Sequence, residues 1–239
     1  VEFCRAARYL DPSLDGAWIF QAWRNAWVMN VLQLAVGLPV SLTPAIFAYS
    51  MLYPNSDNVL DDPRIGPDAK AEFNARLGRR LAGPGSVGAM AGDPRAAAID
   101  ALIGLIERQY PRDAYPRVYG ALLAIHRAQC HSLALQRRGA SPYQQDVIGL
   151  SVEKGGASVL ADAYLVDGDV NEDQASFAFG LGAYLQLADD LQDVSSDRSD
   201  GLLTVFSMTA RRWPLDPLVN RLLRLPDPLL ASDPARTES

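Results

Sequence analysis

Basic residues, histidine and cysteine are all scarce in this chain of 239 residues. It carries 22 Lys and Arg against 28 Asp and Glu, a formal net charge of −6. That balance argues against a general nucleic-acid-binding protein, because such proteins need a basic face. Two cysteines, Cys4 and Cys130, make no disulfide framework, and two histidines cannot supply a His-rich metal site. We therefore expect a reducing, cytoplasmic setting.

The first residues lack the features of a targeting segment. The sequence opens with Val1–Arg5 and shows no basic segment followed by an apolar stretch, so no signal peptide is expected. Because the sequence does not begin with Met, we expect the native chain to begin upstream of Val1.

Charge is missing altogether between Asn25 and Ser56. A run of this length suggests a membrane span, but Pro39, Pro44 and several polar residues interrupt any apolar stretch of ~20 residues. We predict two helices buried in a large helical core and no stable membrane span, with a membrane location as the alternative.

Strand patterns are also rare, whereas helical periodicity and helix-terminal signals recur along the chain. Thr43 is placed to cap a helix that has Pro44 at its first position, and Asn171 to cap a helix over Glu172–Ser196. We predict an all-α fold, a single-domain bundle of about eight to ten helices over residues 1–225. Residues 226–239 are predicted to form a flexible tail. The other predicted helices begin near Asp15, Gly66, Asp93, Ala114 and Ser141, and two short ones flank Pro214.

Aspartates are concentrated in two clusters, the first at Asp57–Asp62 and the second at Asp189–Asp197. In each cluster, aspartates recur at four-residue spacing, which places them on one helical face and destabilises the helix by a few tenths of a kcal/mol per pair. No Lys or Arg lies between Glu172 and Asp197 to offset the second cluster. Carboxylate oxygens are preferred by hard cations such as Mg²⁺. We therefore predict Mg²⁺ sites in both clusters, against the ordinary alternative of solvated helix ends. The predicted metal ligands are Asp57, Asp61, Asp62, Asp189, Asp190, Asp193 and Asp197.

These segments resemble the class I isoprenoid synthases. Gly182–Asp193 resembles the second aspartate-rich motif of trans-prenyl diphosphate synthases, with Leu185 where that motif has Phe. Asp57–Asp61 and Asp193–Asp197 resemble the two Asp-x-x-x-Asp motifs of squalene and phytoene synthases. The spacing of the second cluster is also similar to the second metal motif of terpene cyclases. The resemblance covers the chain from about Thr43 to Ser207.

The resemblance implies an isoprenoid-synthase fold and a Mg²⁺-dependent enzyme. Such an enzyme ionises an allylic prenyl diphosphate and then couples or cyclises the carbocation. Lys154 resembles a lysine that binds the substrate diphosphate in prenyl synthases, although a surface lysine is equally compatible with its sequence context. A homodimer is one expected assembly. The implied catalytic residues are Asp57, Asp61, Asp189, Asp193 and Lys154, and the implied substrate contacts are Lys154, Gln186, Arg198, Tyr53 and Phe177.

Several alternatives stay open. The Gly-Lys-x-x-Arg segment of chain-elongating synthases has no clear counterpart, so head-to-tail transfer, head-to-head condensation and cyclisation are not ranked. A catalytically silent relative that binds and regulates is a second possibility, and an intramembrane prenyltransferase is a third. A di-iron helical protein is disfavoured because Glu-x-x-His pairs are absent.

Overall fold

The computed structural model describes residues 2–61, 64–84, 94–133, 143 and 145–226. The side chains of Asp57, Asp61, Pro94 and Arg95 lie outside that description. Within the described ranges there are eleven helices and no strand, so the prediction of an all-α fold is confirmed. The helices are α1 (Glu2–Leu10), α2 (Gly16–Ala35), α3 (Pro44–Asp61), α4 (Pro67–Ala82), α5 (Pro94–Gln109), α6 (Pro116–Ser132), α7 (Val147–Asp167), α8 (Glu172–Gln192), α9 (Val194–Asp200), α10 (Val205–Thr209) and α11 (Asp216–Arg224).

The two predicted helix caps, Thr43 and Asn171, are present, and Asp15 is a third. Asp15 Oδ1 accepts a hydrogen bond from the Trp18 backbone N–H at 2.7 Å at the start of α2, the helix that was predicted to begin near this residue. Thr43 Oγ1 accepts from the Ile46 N–H at 3.2 Å and precedes Pro44, the first residue of α3. Asn171 forms a capping box with Gln174 at the start of α8. These side chains satisfy backbone donors that have no partner within a helix, which explains why the helices begin where they do.

The structure differs from the prediction at three points. α1 was not predicted at all, α7 begins at Val147 although it was expected to begin near Ser141, and the helix expected over Glu172–Ser196 is divided at Asp193 into α8 and α9. Backbone bonds from Asp193 to Asp189 (2.9 Å) and from Asp197 to Asp193 (2.8 Å) persist on both sides of this break. The four-residue spacing of the aspartates therefore survives, although they do not share one continuous helix.

The chain groups into two compact units. The first contains residues 1–123 and 164–169, and the second contains residues 124–163 and 170–239. This grouping leaves the prediction of one helical domain over residues 1–225 untested, and the predicted tail lies almost wholly outside the described residues.

The first unit contains a buried ion network that ties α4 to α5. The guanidinium of Arg80, only 6% exposed, donates two 2.7 Å hydrogen bonds to Glu107 and one of 3.2 Å to Asp100. Arg112 donates to the same Glu107 carboxylate at 2.8 Å and stacks over the ring of Tyr119. These contacts hold the pKa of Glu107 below its usual range, chiefly through the Arg80 hydrogen bonds. The network fixes the packing of these helices and has no exposed reactive group.

The charge-free stretch was predicted to form two buried helices, and only one of them is buried. α3 packs against α2 and α5, and most of its side chains from Ala45 to Ser56 are buried. α2 buries one face, with Ala22, Met29 and Leu32 in the core, and leaves the opposite face exposed. Among the described helices, none combines the length and apolar character needed to cross a membrane.

Candidate functional site

Helices α7 and α8 approach each other closely through glycines in the second unit. A Cβ added at Gly155 would lie 2.4 Å from the carbonyl oxygen of Gly182, and one added at Gly182 would lie 2.1 Å from the carbonyl oxygen of Gly155. Beside this crossing, a Cβ at Gly156 would meet the ring of Phe179 at 2.5 Å. Only glycine allows the two backbones to come this near. The close approach lets short polar side chains of one helix reach the other.

Asp190 uses this proximity and is held from both helices. Ser151 Oγ, on α7, donates a hydrogen bond of 2.9 Å to Asp190 Oδ2, and Gln186 Nε2, one turn earlier on α8, donates one of 2.9 Å to Oδ1. The Asp190 residue is only 7% exposed. Burial raises the pKa of its carboxyl, and the two hydrogen bonds and the charge of Lys154 oppose that rise without cancelling it. Asp190 therefore acts as an anchor between α7 and α8, with a protein donor on each carboxylate oxygen.

Lys154 lies on α7 one turn after Ser151 and is half-buried. Its positive charge favours the ionised form of Asp190, so the two residues are electrostatic neighbours. Because the side chain of Lys154 is only half-buried, it can also attract an anion from solvent.

The remaining aspartates of the second cluster follow the end of α8. Asp189 and Asp193 are exposed, whereas Asp197, on α9, is only 8% exposed. Asp197 Oδ2 accepts a hydrogen bond of 3.3 Å from Thr204 Oγ1. Burial, together with the charges of Asp190, Asp193 and Asp200, raises the pKa of Asp197 to about 6. The four aspartates of the second cluster (Asp189, Asp190, Asp193 and Asp197) therefore concentrate negative charge at one place, and binding of a cation or a proton would reduce their mutual repulsion.

The first cluster lies in the other unit and is only partly described. The backbone positions of Asp57 and Asp61 lie in the last two turns of α3. Their side chains, and the whole of Asp62, lie outside the described residues. Tyr53, one turn before Asp57, is half-buried, and its ring centroid lies 6.4 Å from that of Tyr49. Whether these aspartates bind a metal stays a prediction.

The other residues predicted to contact substrate are spread along α8 and α9. Phe177 is half-buried on α8, whereas Arg198 is exposed on α9. Sequence reasoning missed Ser151 and Thr204, the two hydroxyl groups that donate to aspartates of the second cluster. Ser151 could have been found from its three-residue spacing to Lys154, which places both on one helical face. Thr204 offered no comparable signal.

Among the residues that the structure describes, no group of three or more His, Cys, Asp or Glu side chains is placed to hold a metal ion. A closed protein cage is therefore not present in the described part of the chain. Mg²⁺ differs from most metals in that it commonly takes one or two carboxylates, keeps waters and binds substrate phosphates. The side chains of Asp189 and Asp193 are exposed and offer only oxygen ligands, which fits that mode of binding, whereas Asp190 is buried.

Comparisons with known proteins give no relative. No family model matches the chain, and no curated protein or solved structure matches it either. Membership of the isoprenoid synthases therefore stays a prediction that depends on the motif residues.

Proposed function

We propose that this protein is a Mg²⁺-dependent isoprenoid synthase that acts on an allylic prenyl diphosphate. The observation that carries the proposal is the arrangement at the α7–α8 crossing. The aspartate-rich segment that resembles a diphosphate-binding motif lies at the end of α8, and Lys154 of the adjacent helix is an electrostatic neighbour of its buried Asp190. Aspartates together with a lysine at one place suit a metal-bridged diphosphate, because the cations neutralise the phosphate charge that the carboxylates would repel.

In this proposal each residue has a separate task. The exposed Asp189 and Asp193 hold Mg²⁺, which, when bound, stabilises the negative charge on the departing diphosphate. Lys154 attracts the diphosphate directly. Asp190, fixed by Ser151 and Gln186, positions α8 relative to Lys154 and does not ligate the metal. In the first unit, Asp57 and Asp61 supply the first acidic motif of the resemblance.

A second candidate is a catalytically silent helical protein that binds or regulates. Two observations favour it over an active enzyme. Both oxygens of Asp190 are occupied by protein donors, and the described residues contain no group of three metal-ligating side chains. On this alternative the second cluster would be structural, and Mg²⁺ would not change the protein.

The test is a diphosphate-release assay with the full chain. The substrates are geranyl, farnesyl and geranylgeranyl diphosphate, each with and without isopentenyl diphosphate, in Mg²⁺ or EDTA. We expect Mg²⁺-dependent release that falls by a factor of at least about 100 in Asp189→Asn, since loss of an electrostatic contact to the transition state has effects of this size. The products distinguish head-to-tail transfer, head-to-head condensation and cyclisation.

The matched control is Asp173→Asn, an exposed aspartate in the first turn of the same helix. It should leave release unchanged, because it lies more than four helical turns from Asp189. Release from no substrate, combined with no Mg²⁺-dependent binding of inorganic diphosphate by calorimetry, would refute the enzyme and leave the silent alternative. Mg²⁺-dependent diphosphate binding without release would refute the enzyme and also the structural role of the cluster, and would assign to it the binding of diphosphate without catalysis.

A further inference from the structure

A stripe of large apolar side chains remains exposed on α2, in the first unit. Its members recur at steps of three and four residues and therefore share one helical face. This face lies opposite the buried one, so α2 is apolar on two sides, a pattern typical of a helix with a partner on each side. The five residues, which we name the α2 stripe, are Phe20 (59% exposed), Trp23 (41%), Trp27 (57%), Val31 (40%) and Leu34 (65%).

The area of the α2 stripe matches the apolar part of a stable interface. Aromatic side chains carry about 150–250 Å² each, so at the observed exposures the stripe offers roughly 500 Å² of apolar surface. Soluble monomers rarely expose a contiguous apolar patch larger than a few hundred Å². A standard interface takes about 800 Å² from each partner, of which somewhat more than half is apolar. The stripe alone therefore supplies about the apolar content of one side.

The spacing of the α2 stripe is self-complementary. If a second α2 helix lies antiparallel with a two-fold axis beside Trp27, Phe20 meets Leu34 of the second copy and Trp23 meets its Val31. Trp27 then meets its own counterpart. A two-fold interface requires this property, because the same patch must fit itself. The pairing also sets a large side chain against a smaller one at the Trp23 and Val31 positions, as interdigitated helix packing favours.

The charge on α2 selects the same direction of packing. Arg24 is the only charged residue of the helix. In the antiparallel register it lies beside Asn30 of the second copy, and the two Arg24 positions are separated by about 9 Å along the axis. A parallel pairing would place the two arginines against each other. At ~9 Å, about one Debye length at physiological salt, their repulsion is largely screened.

We propose that a second copy of this chain packs antiparallel on the α2 stripe, with the two-fold axis beside Trp27. This inference is independent of the proposed enzymatic activity, because it involves no residue of the acidic clusters.

The first test measures the oligomeric state of the full chain by sedimentation equilibrium across the micromolar range. We expect the wild type to form a dimer, and Trp27→Glu to raise the dimer dissociation constant by a factor on the order of 100 or more, since central tryptophans dominate interface energies. Trp27 is 57% exposed within one chain, so the substitution should leave the helical circular dichroism unchanged. The control is Trp213→Glu, which changes a tryptophan that is 70% exposed and lies outside the stripe. It should sediment as the wild type does.

The second test determines the register of the two antiparallel α2 helices. In a background of Cys4→Ser and Cys130→Ser, Arg24→Cys keeps all five residues of the α2 stripe, and it should be cross-linked to its own counterpart, about 9 Å away along the axis, by a short bismaleimide. Phe20→Cys should be cross-linked only when mixed with Leu34→Cys, because its own counterpart would be about 21 Å away along the axis.

Three outcomes would overturn the proposal. One is a wild-type chain that stays monomeric, and another is a dimer that Trp27→Glu leaves intact. The third is a monomer that co-sediments with neutral phosphatidylcholine vesicles through the stripe, which would assign this face to a lipid surface.

Discussion

Replacement of Gly155 by alanine should destabilise the protein, although the same change in an open helix stabilises it. Alanine favours the helix by about 1 kcal/mol relative to glycine. At Gly155, however, the new Cβ would lie 2.4 Å from the carbonyl oxygen of Gly182, about 1 Å closer than ordinary contact. This oxygen belongs to the backbone of α8 and cannot rotate away, so α7 and α8 must separate. Such overpacking costs about 1–3 kcal/mol.

Separation of the helices has a second cost at Asp190. Its hydrogen bond to Ser151 spans α7 and α8 at 2.9 Å, and a displacement of about 1 Å would break it. Loss of a hydrogen bond to a charged group costs about 1.5–3 kcal/mol. After subtraction of the helix-propensity gain, we expect Gly155→Ala to lower the free energy of unfolding by about 2–4 kcal/mol, measured by urea denaturation.

Two matched variants serve as controls for this prediction. In Gly156→Ala, on the same helix, the three atoms nearest the new Cβ all belong to the ring of Phe179, which is 36% exposed and can turn aside, so we expect a smaller loss than at Gly155. Gly120→Ala lies within α6, where a Cβ would meet nothing within 4 Å, and should stabilise the chain by about 0.5–1 kcal/mol. If Gly155→Ala stabilised the protein as Gly120→Ala does, this would refute the close backbone approach of α7 and α8 at Gly155 and Gly182.

Two further predictions concern charged groups. Arg80→Ala should lower the free energy of unfolding by about 1.5–3 kcal/mol, because it removes the hydrogen bonds of a buried guanidinium to Glu107 and Asp100, which are each 26% exposed. Arg117→Ala breaks an exposed pair with Asp169 and should cost less than about 1 kcal/mol; equal losses in urea denaturation would contradict this. The raised pKa of Asp197 means that the folded state binds more protons than the unfolded state between about pH 4 and pH 6, so in EDTA its contribution to stability should fall as pH rises through that window, by no more than about 3 kcal/mol. Asp197→Asn should flatten that part of the pH profile, and an unchanged slope would refute the assignment.

Local chemistry in the sequence was sufficient to predict most of the helices. Thr43 and Asn171 cap helices as predicted, because a cap joins a side chain to backbone groups two or three residues away. The four-residue spacing of the second acidic cluster also survives the break at Asp193, since the backbone bonds on both sides keep the same step. Such features depend only on neighbours along the chain.

Tertiary structure decided what those residues contact. Spacing along the chain does not indicate that Gly155 packs against Gly182, that Ser151 donates to Asp190, or that α2 keeps an exposed apolar face. Asp189 and Asp190 are adjacent and chemically identical, yet one is exposed and the other is buried with two donors. Burial and close approach depend on residues tens of positions apart, so helical periodicity alone could not determine them.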